Sequence, residues 1–144
     1  AQRLLDFVTT HMVYNHLEAN RVGETLKRPN EVLMTGGSDC SGLTILYASL
    51  LEQTGIDYRL VYGDVNGEGH INVAVAGNFG SRNGMRFRLG DKDYTFAEPT
   101  TRGFVIGRTI LSEKMDHNSV KQYQKPGKNA PVIDGITGEP RPFF

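Results

Sequence analysis

The sequence has 144 residues, 38% of them hydrophobic, which suits one domain with its own core. Sixteen Lys and Arg balance sixteen Asp and Glu, and the zero net charge argues against a nucleic acid as main partner, since phosphate binding needs surplus cations. No apolar run approaches the roughly 18 residues of a membrane span, and a single cysteine excludes an internal disulfide.

The opening Ala1-Gln2-Arg3-Leu4-Leu5-Asp6 is too polar for a signal peptide and lacks Met, so a processed or excised chain is expected. Cytoplasmic residence and export after processing both stay open. Residues 2–14 predict a helix, with Leu4, Leu5, Val8 and Met12 on one stripe and Tyr14 and Asn15 on its last turn. Residues 16–30 are polar and read as irregular. Glu31-Val32-Leu33-Met34 is a short apolar run before Gly36 and Gly37.

Residues 40–54 give the clearest helix. Leu43, Leu46, Tyr47, Leu50 and Leu51 fall on one face, Ser38 or Asp39 can cap its start, and Gly55 can stop it. Strands follow. Tyr58–Tyr62 is the first, 63–69 reads as a loop, and His70–Ala76 is the second. In that second strand Ile71, Val73 and Val75 share one face, while His70, Asn72 and Ala74 share the other. Gly77–Gly84 reads as a polar turn. Met85–Leu89 and Tyr94–Glu98 alternate and flank Gly90-Asp91-Lys92-Asp93 as a hairpin, and Phe104–Ile106 reads as a last short strand.

From residue 112 the character changes: four of the six prolines lie here, so at most a short helix near 112–123 is expected, then an extended tail on the body. Helices followed by antiparallel strands indicate an α+β fold. The expected division is a core over 1–111 and a Pro-rich C-terminal extension over 112–144 packed on it.

Cys40 opens the clearest helix, where unpaired N–H groups and the helix dipole favour a thiolate. Those N–H groups can also form half of an oxyanion hole. Asp39 opposes the thiolate unless it faces away, most simply by capping the helix. The bland alternative is a small buried hydrophobe. A cysteine nucleophile needs a base, and the base needs an orienting acceptor. His70 opens a strand thirty residues on, and Glu98 ends a later one before Pro99. If the two strands pair, Glu98 can reach the far nitrogen of His70. Their bland alternatives are an unpartnered loop-edge histidine and an exposed strand-end charge.

Three segments carry a resemblance. They are Gly36-Gly37-Ser38-Asp39-Cys40-Ser41-Gly42-Leu43 with the later Leu50-Leu51 and Gly55-Ile56, Gly69-His70-Ile71-Asn72-Val73, and Tyr94-Thr95-Phe96-Ala97-Glu98-Pro99-Thr100. Together they resemble the transglutaminase-like superfamily over about residues 2–107. The resemblance implies a papain-like core with the Cys helix packed on an antiparallel sheet. It also implies Cys40 as nucleophile, His70 as base and Glu98 as orienting acid. Glu98 stands where Asp is commoner, Ile71 replaces an aromatic, and Tyr14 or Asn15 are candidates for the oxyanion side chain. Asp39-Cys40-Ser41-Gly42-Leu43 is also similar to the start motif of the NlpC/P60 cell-wall peptidases.

The expected function is cysteine-dependent acyl transfer on amide bonds of a protein or peptide through a Cys-His-Glu triad, with peptidase or amidase hydrolysis expected ahead of transfer onto an amine. An NlpC/P60-like cell-wall peptidase, or a non-catalytic binding module on the same scaffold, is the alternative, and the tail is a candidate built-in inhibitor. No cofactor or metal is expected. His11 and His16 point apart on a helix, His117 completes no ligand spacing, and Asp64–Glu68 lacks the ligand series of an EF-hand. The oligomeric state is left open.

Overall fold

The computed structural model describes residues 1–19, 27–65, 68–77, 79, 86–89, 91–109, 120–124, 131–133 and 140–142. Helix α1 spans Gln2–His11 and buries Leu5, Val8 and Thr9. It is shorter than the predicted 2–14. Met12 turns extended, and its N–H closes the last turn on the Val8 carbonyl at 3.0 Å. The chain then enters strand β1, Val13–Tyr14, which pairs in parallel with β2, Gly37–Ser38. The Val13 N–H donates to the Gly36 carbonyl and the Asn15 N–H to the Ser38 carbonyl, both at 2.9 Å. A Cβ on Gly37 would run into the Val13 carbonyl, so only glycine permits this approach.

The stretch expected to be irregular holds a four-residue helix α2, His16–Ala19, and the start of α3, Pro29–Thr35. Pro29 sits in the first turn of α3, where its missing N–H costs nothing. Gly36, at φ 76°, ends α3 in the left-handed conformation and donates to the Val32 carbonyl at 2.9 Å.

Helix α4, Cys40–Gln53, is the central element. Every residue from Ser41 to Ala48 is buried, as is Leu51, so its stripe is wrapped on most sides. Its leucines pack with Leu5, Val8, Val32, Phe104 and Ile106 and with the sheet residues Tyr58, Leu60, Ile71, Val73 and Val75. Burying each such side chain contributes about 1.5–3 kcal/mol, which makes this helix the anchor of the fold.

The main sheet has five antiparallel strands in the order β5-β6-β4-β3-β7. They are β3 Tyr58–Val65, β4 Glu68–Ala76, β5 Arg86–Leu89, β6 Lys92–Ala97 and β7 Val120–Gln124. A separate pair, β8 Pro131–Ile133 and β9 Pro140–Pro142, lies in the C-terminal stretch. The predicted loop 63–69 is instead mostly strand, with Val65 paired to Glu68 and only Asn66-Gly67 between them. The hairpin of β5 and β6 is tighter than expected, since Leu89 already pairs with Lys92. Of the predicted polar turn, all but Gly77 and Phe79 lie outside the described residues.

Phe104–Ile106 is not a strand. Gln2 of α1 satisfies this backbone instead, donating to the Phe104 carbonyl at 2.9 Å and accepting from the Ile106 N–H at 2.8 Å. Residues 120–124 are strand, not helix, and pair with β3, while 112–119 lie outside the described residues. Asp57 binds Arg59 at 2.8 Å, Lys92 at 2.9 Å and Tyr94 at 3.0 Å, which ties the start of β3 to β6 across the intervening β4. No helix among the described residues is long and apolar enough to cross a membrane.

Candidate active site

Cys40 is half-buried at the first position of α4. The turn before it is held twice. β1 clamps Gly37-Ser38 from one side, and Asp39 caps the helix by accepting the Gly42 N–H at 3.1 Å. The carboxylate beside the thiol is therefore occupied with the helix start, where the dipole favours its charge. Gly42 belongs to the same arrangement, because a Cβ there would collide with the Ser38 side chain.

His70 lies on β4, and Thr44 of α4 donates to the carbonyl of the next residue, Ile71, at 3.1 Å. This bond fixes the helix against the strand close to the histidine. The His70 Nε2 meets Glu98 Oε2 at 2.7 Å. The Cys40 side chain lies close enough to the His70 ring to raise its proton affinity. With Nε2 committed to Glu98, Nδ1 is the nitrogen left for the thiol. The imidazole thus lies between a sulfur and a carboxylate, with 21% of its side chain exposed against 5% for Glu98.

Glu98 follows directly on β6. The register pairs Val73 with Ala97, so one residue further Asn72 stands opposite Glu98. Glu98 must therefore reach diagonally along β4 to meet His70. Its two oxygens have separate partners. Oε1 accepts both the Thr100 hydroxyl at 2.7 Å and the Thr100 N–H at 3.2 Å. Oε2 accepts His70 and, at 3.5 Å, the Nδ2 of Asn72. Pro99 holds the residue before it extended and lets Thr100 fold back on the carboxylate.

The electrostatics follow. Burial alone would push the proton off His70, and it is the largest single influence. The hydrogen bonds to Cys40 and Glu98 and the negative charge of both outweigh it, so the imidazole is pushed up from 6.5 to about 10. The ring therefore carries its proton at neutral pH, with Nε2 held on the Glu98 carboxylate.

All three residues singled out in the sequence come together, on a helix start, a strand and a strand end. Tyr14 and Asn15 are not on a helix. Tyr14 ends β1 and Asn15 follows it, beside the segment that leads into Cys40; Tyr14 packs edge-on to His16 at 4.7 Å and Asn15 Oδ1 accepts the Leu17 N–H at 3.0 Å. Two residues went unnoticed in the sequence. Thr100 was visible only as part of the Glu-Pro-Thr ending, and Asn72 only as a polar residue on the His70 face of a strand.

A family model described as the transglutaminase-like superfamily matches residues 1–98. The chain belongs to that superfamily. The match starts at Ala1, just before α1, and ends on Glu98, and it agrees with a Cys-bearing helix packed on an antiparallel sheet. Comparison with curated proteins and with solved structures gave no match. The transglutaminase-like superfamily generally includes cysteine-dependent acyl transfer, and the likeness to NlpC/P60 peptidases is the weaker of the two.

Proposed function

We propose that this transglutaminase-like chain cleaves amide bonds of a protein or peptide through Cys40, His70 and Glu98, with residues 1–111 as the catalytic core and 112–144 as its extension. The observation that carries this is the His70 ring, bound to Glu98 through Nε2 at 2.7 Å, with Cys40 at the start of α4 close enough to raise its proton affinity. The Cys40 sulfur, as thiolate, attacks the carbonyl carbon, and a carbon–sulfur bond forms while the carbonyl electrons move to oxygen. N–H groups at the start of α4 receive the oxyanion. His70 then gives its proton to the nitrogen, the carbon–nitrogen bond breaks, and the amine leaves. A thioester stays on Cys40. Water attacks the thioester carbon, His70 takes the water proton, the carbon–sulfur bond breaks, and the acid product leaves with Cys40 restored as thiolate. Glu98 holds the ring and its charge through both halves and does not itself change protonation.

Water is taken as the acceptor because it needs no second binding site; an amine there gives transamidation instead. The test is alkylation of Cys40 by iodoacetamide at about pH 6, where an ordinary thiol is slow. Fast alkylation that slows in His70→Ala supports an activated thiolate. Alkylation no faster than that of a free thiol removes the basis of the proposal. Mass spectrometry after exposure to a peptide library then identifies the acyl group on Cys40, and added amine distinguishes the two acceptors.

A further inference from the structure

We infer that Asn72 is a positioning residue that acts on His70 through the Glu98 carboxylate. Asn72 lies in β4 two residues beyond His70, between the buried Ile71 and Val73, and is itself 0% exposed. Its Nδ2 points at Glu98 Oε2, the oxygen that holds His70. The amide must face this way, because a carboxylate can only accept. Its other end, Oδ1, is buried with no partner among the described residues.

That combination is unfavourable for stability. Asn is a poor strand former, and a buried acceptor without a donor carries a desolvation cost. Val at this position would suit the sheet better and would leave nothing unpaired. What Val lacks is the N–H aimed at Glu98. Thr100 fixes Oε1, and Asn72 restrains Oε2, so each oxygen of the acid has a restraint and the carboxylate plane is set. The ring plane of His70 follows from it, and so does the aim of its second nitrogen at Cys40. The titratable groups acting on His70 are Cys40 of α4 and Glu98 beyond β6, and of these Asn72 is bonded only to Glu98.

Asn72 has this role only if Cys40 and His70 do the chemistry proposed above, so the experiment separates the two. The full chain is compared with Asn72→Val, with Glu98→Ala and with the double variant. Three quantities are read: the His70 ring titration by NMR, the rate of Cys40 alkylation, and Tm. The inference expects Asn72→Val to lower the His70 midpoint by about one pH unit and slow alkylation about tenfold, the size usual for a residue that orients a reacting group. Tm should not fall, because an unpaired acceptor has been removed. In the Glu98→Ala background the same substitution should shift neither the midpoint nor the rate. Should Asn72→Val not fold, Asn72→Ala provides the midpoint and the rate in both backgrounds, and its Tm, which the cavity lowers by itself, is left out of the comparison. A wild type that alkylates quickly with Asn72→Val unchanged overturns the inference alone. A slowdown that persists without Glu98, or one accompanied by a fall in Tm, assigns Asn72 to packing and also overturns it. A wild type no faster than a free thiol overturns the proposed function and this role together.

Discussion

Replacing Glu98 by Gln keeps the shape of the side chain and removes one charge, which isolates what the carboxylate does for His70. The imidazole is raised from 6.5 to about 10: burial opposes the rise, and the bonds to and charges of Cys40 and Glu98 produce it. A base held above its unfolded value contributes stability that is fully present below about pH 6.5 and is lost as the pH climbs through about 10. At about 1.4 kcal/mol per tenfold in proton affinity, the whole rise bounds the effect at about 5 kcal/mol. Cys40 shares the work, so Glu98→Gln is expected to cost about 2–3 kcal/mol near neutral pH. The loss is limited because His70 can shed its proton once its partner is neutral. Urea unfolding of wild type and Glu98→Gln, at steps from about pH 6.5 to about pH 9.5, reads the gap directly. The gap should be full at the lower end and close as the pH rises. A gap that is constant across the range, or that widens with pH, refutes an imidazolium held by this carboxylate.

Cys40→Ala should leave the fold intact and cost about 2 kcal/mol near neutral pH, because Cys40 is half-buried at the edge of the core and shares with Glu98 in raising His70. Far-UV circular dichroism and a urea midpoint check this, and amide cleavage should be lost entirely. Asp39→Ala removes the cap on the Gly42 N–H and should cost about 1 kcal/mol, read as a lower urea midpoint at unchanged slope. Gly42→Ala drives a methyl group into Ser38 and should cost about 1–3 kcal/mol while slowing Cys40 alkylation. Adding Ser38→Gly should recover part of both losses, and failure to recover either would locate the strain elsewhere.

The Cys helix was legible because fourteen residues hold enough turns for a stripe to show. Glu98 was legible because Pro99 ends its strand, and His70 because it heads the alternation of Ile71, Val73 and Val75, although β4 begins two residues earlier. The elements that were missed are those whose partner is distant and whose own length is short. β1 and β2 have two residues each, too few for any period, and their pairing is decided by Gly37 allowing the Val13 carbonyl to come close. Gly63 and Gly69 made 63–69 look like a loop, although Asn66-Gly67 is the pair that two-residue hairpins favour. Gly63 lies inside β3, at a shift in register against β7, a place where a residue without a side chain is tolerated. Phe104–Ile106 has the alternation of a strand, with Phe104 and Ile106 buried and Val105 exposed. Its hydrogen bonds, however, go to a glutamine side chain about a hundred residues earlier, which no local pattern announces.

The length of the acid and the polarity of Asn72 have one physical origin in the sheet. Because Ala97 pairs with Val73, the residue after it faces position 72 and not position 70. A diagonal neighbour on an antiparallel pair is roughly 7–8 Å away between Cα atoms, a span that favours a longer side chain. Glu98 spans it, and its Oε2 closes on His70 at 2.7 Å. The extra methylene brings an extra rotatable bond, and a carboxylate with more freedom orients a base less well. Thr100 and Asn72 remove that freedom, one at each oxygen, and both are placed by backbone already fixed for other reasons. Thr100 folds back after Pro99, and Asn72 occupies the position that Glu98 directly faces. A shorter acid at residue 98 would need neither restraint but would fall short of His70 unless β6 shifted its register, and a one-residue slip would turn Ala97 out of the core. The register that packs Ala97 against the core therefore also sets which residue must carry the acid, how long that acid must be, and where its restraints have to come from.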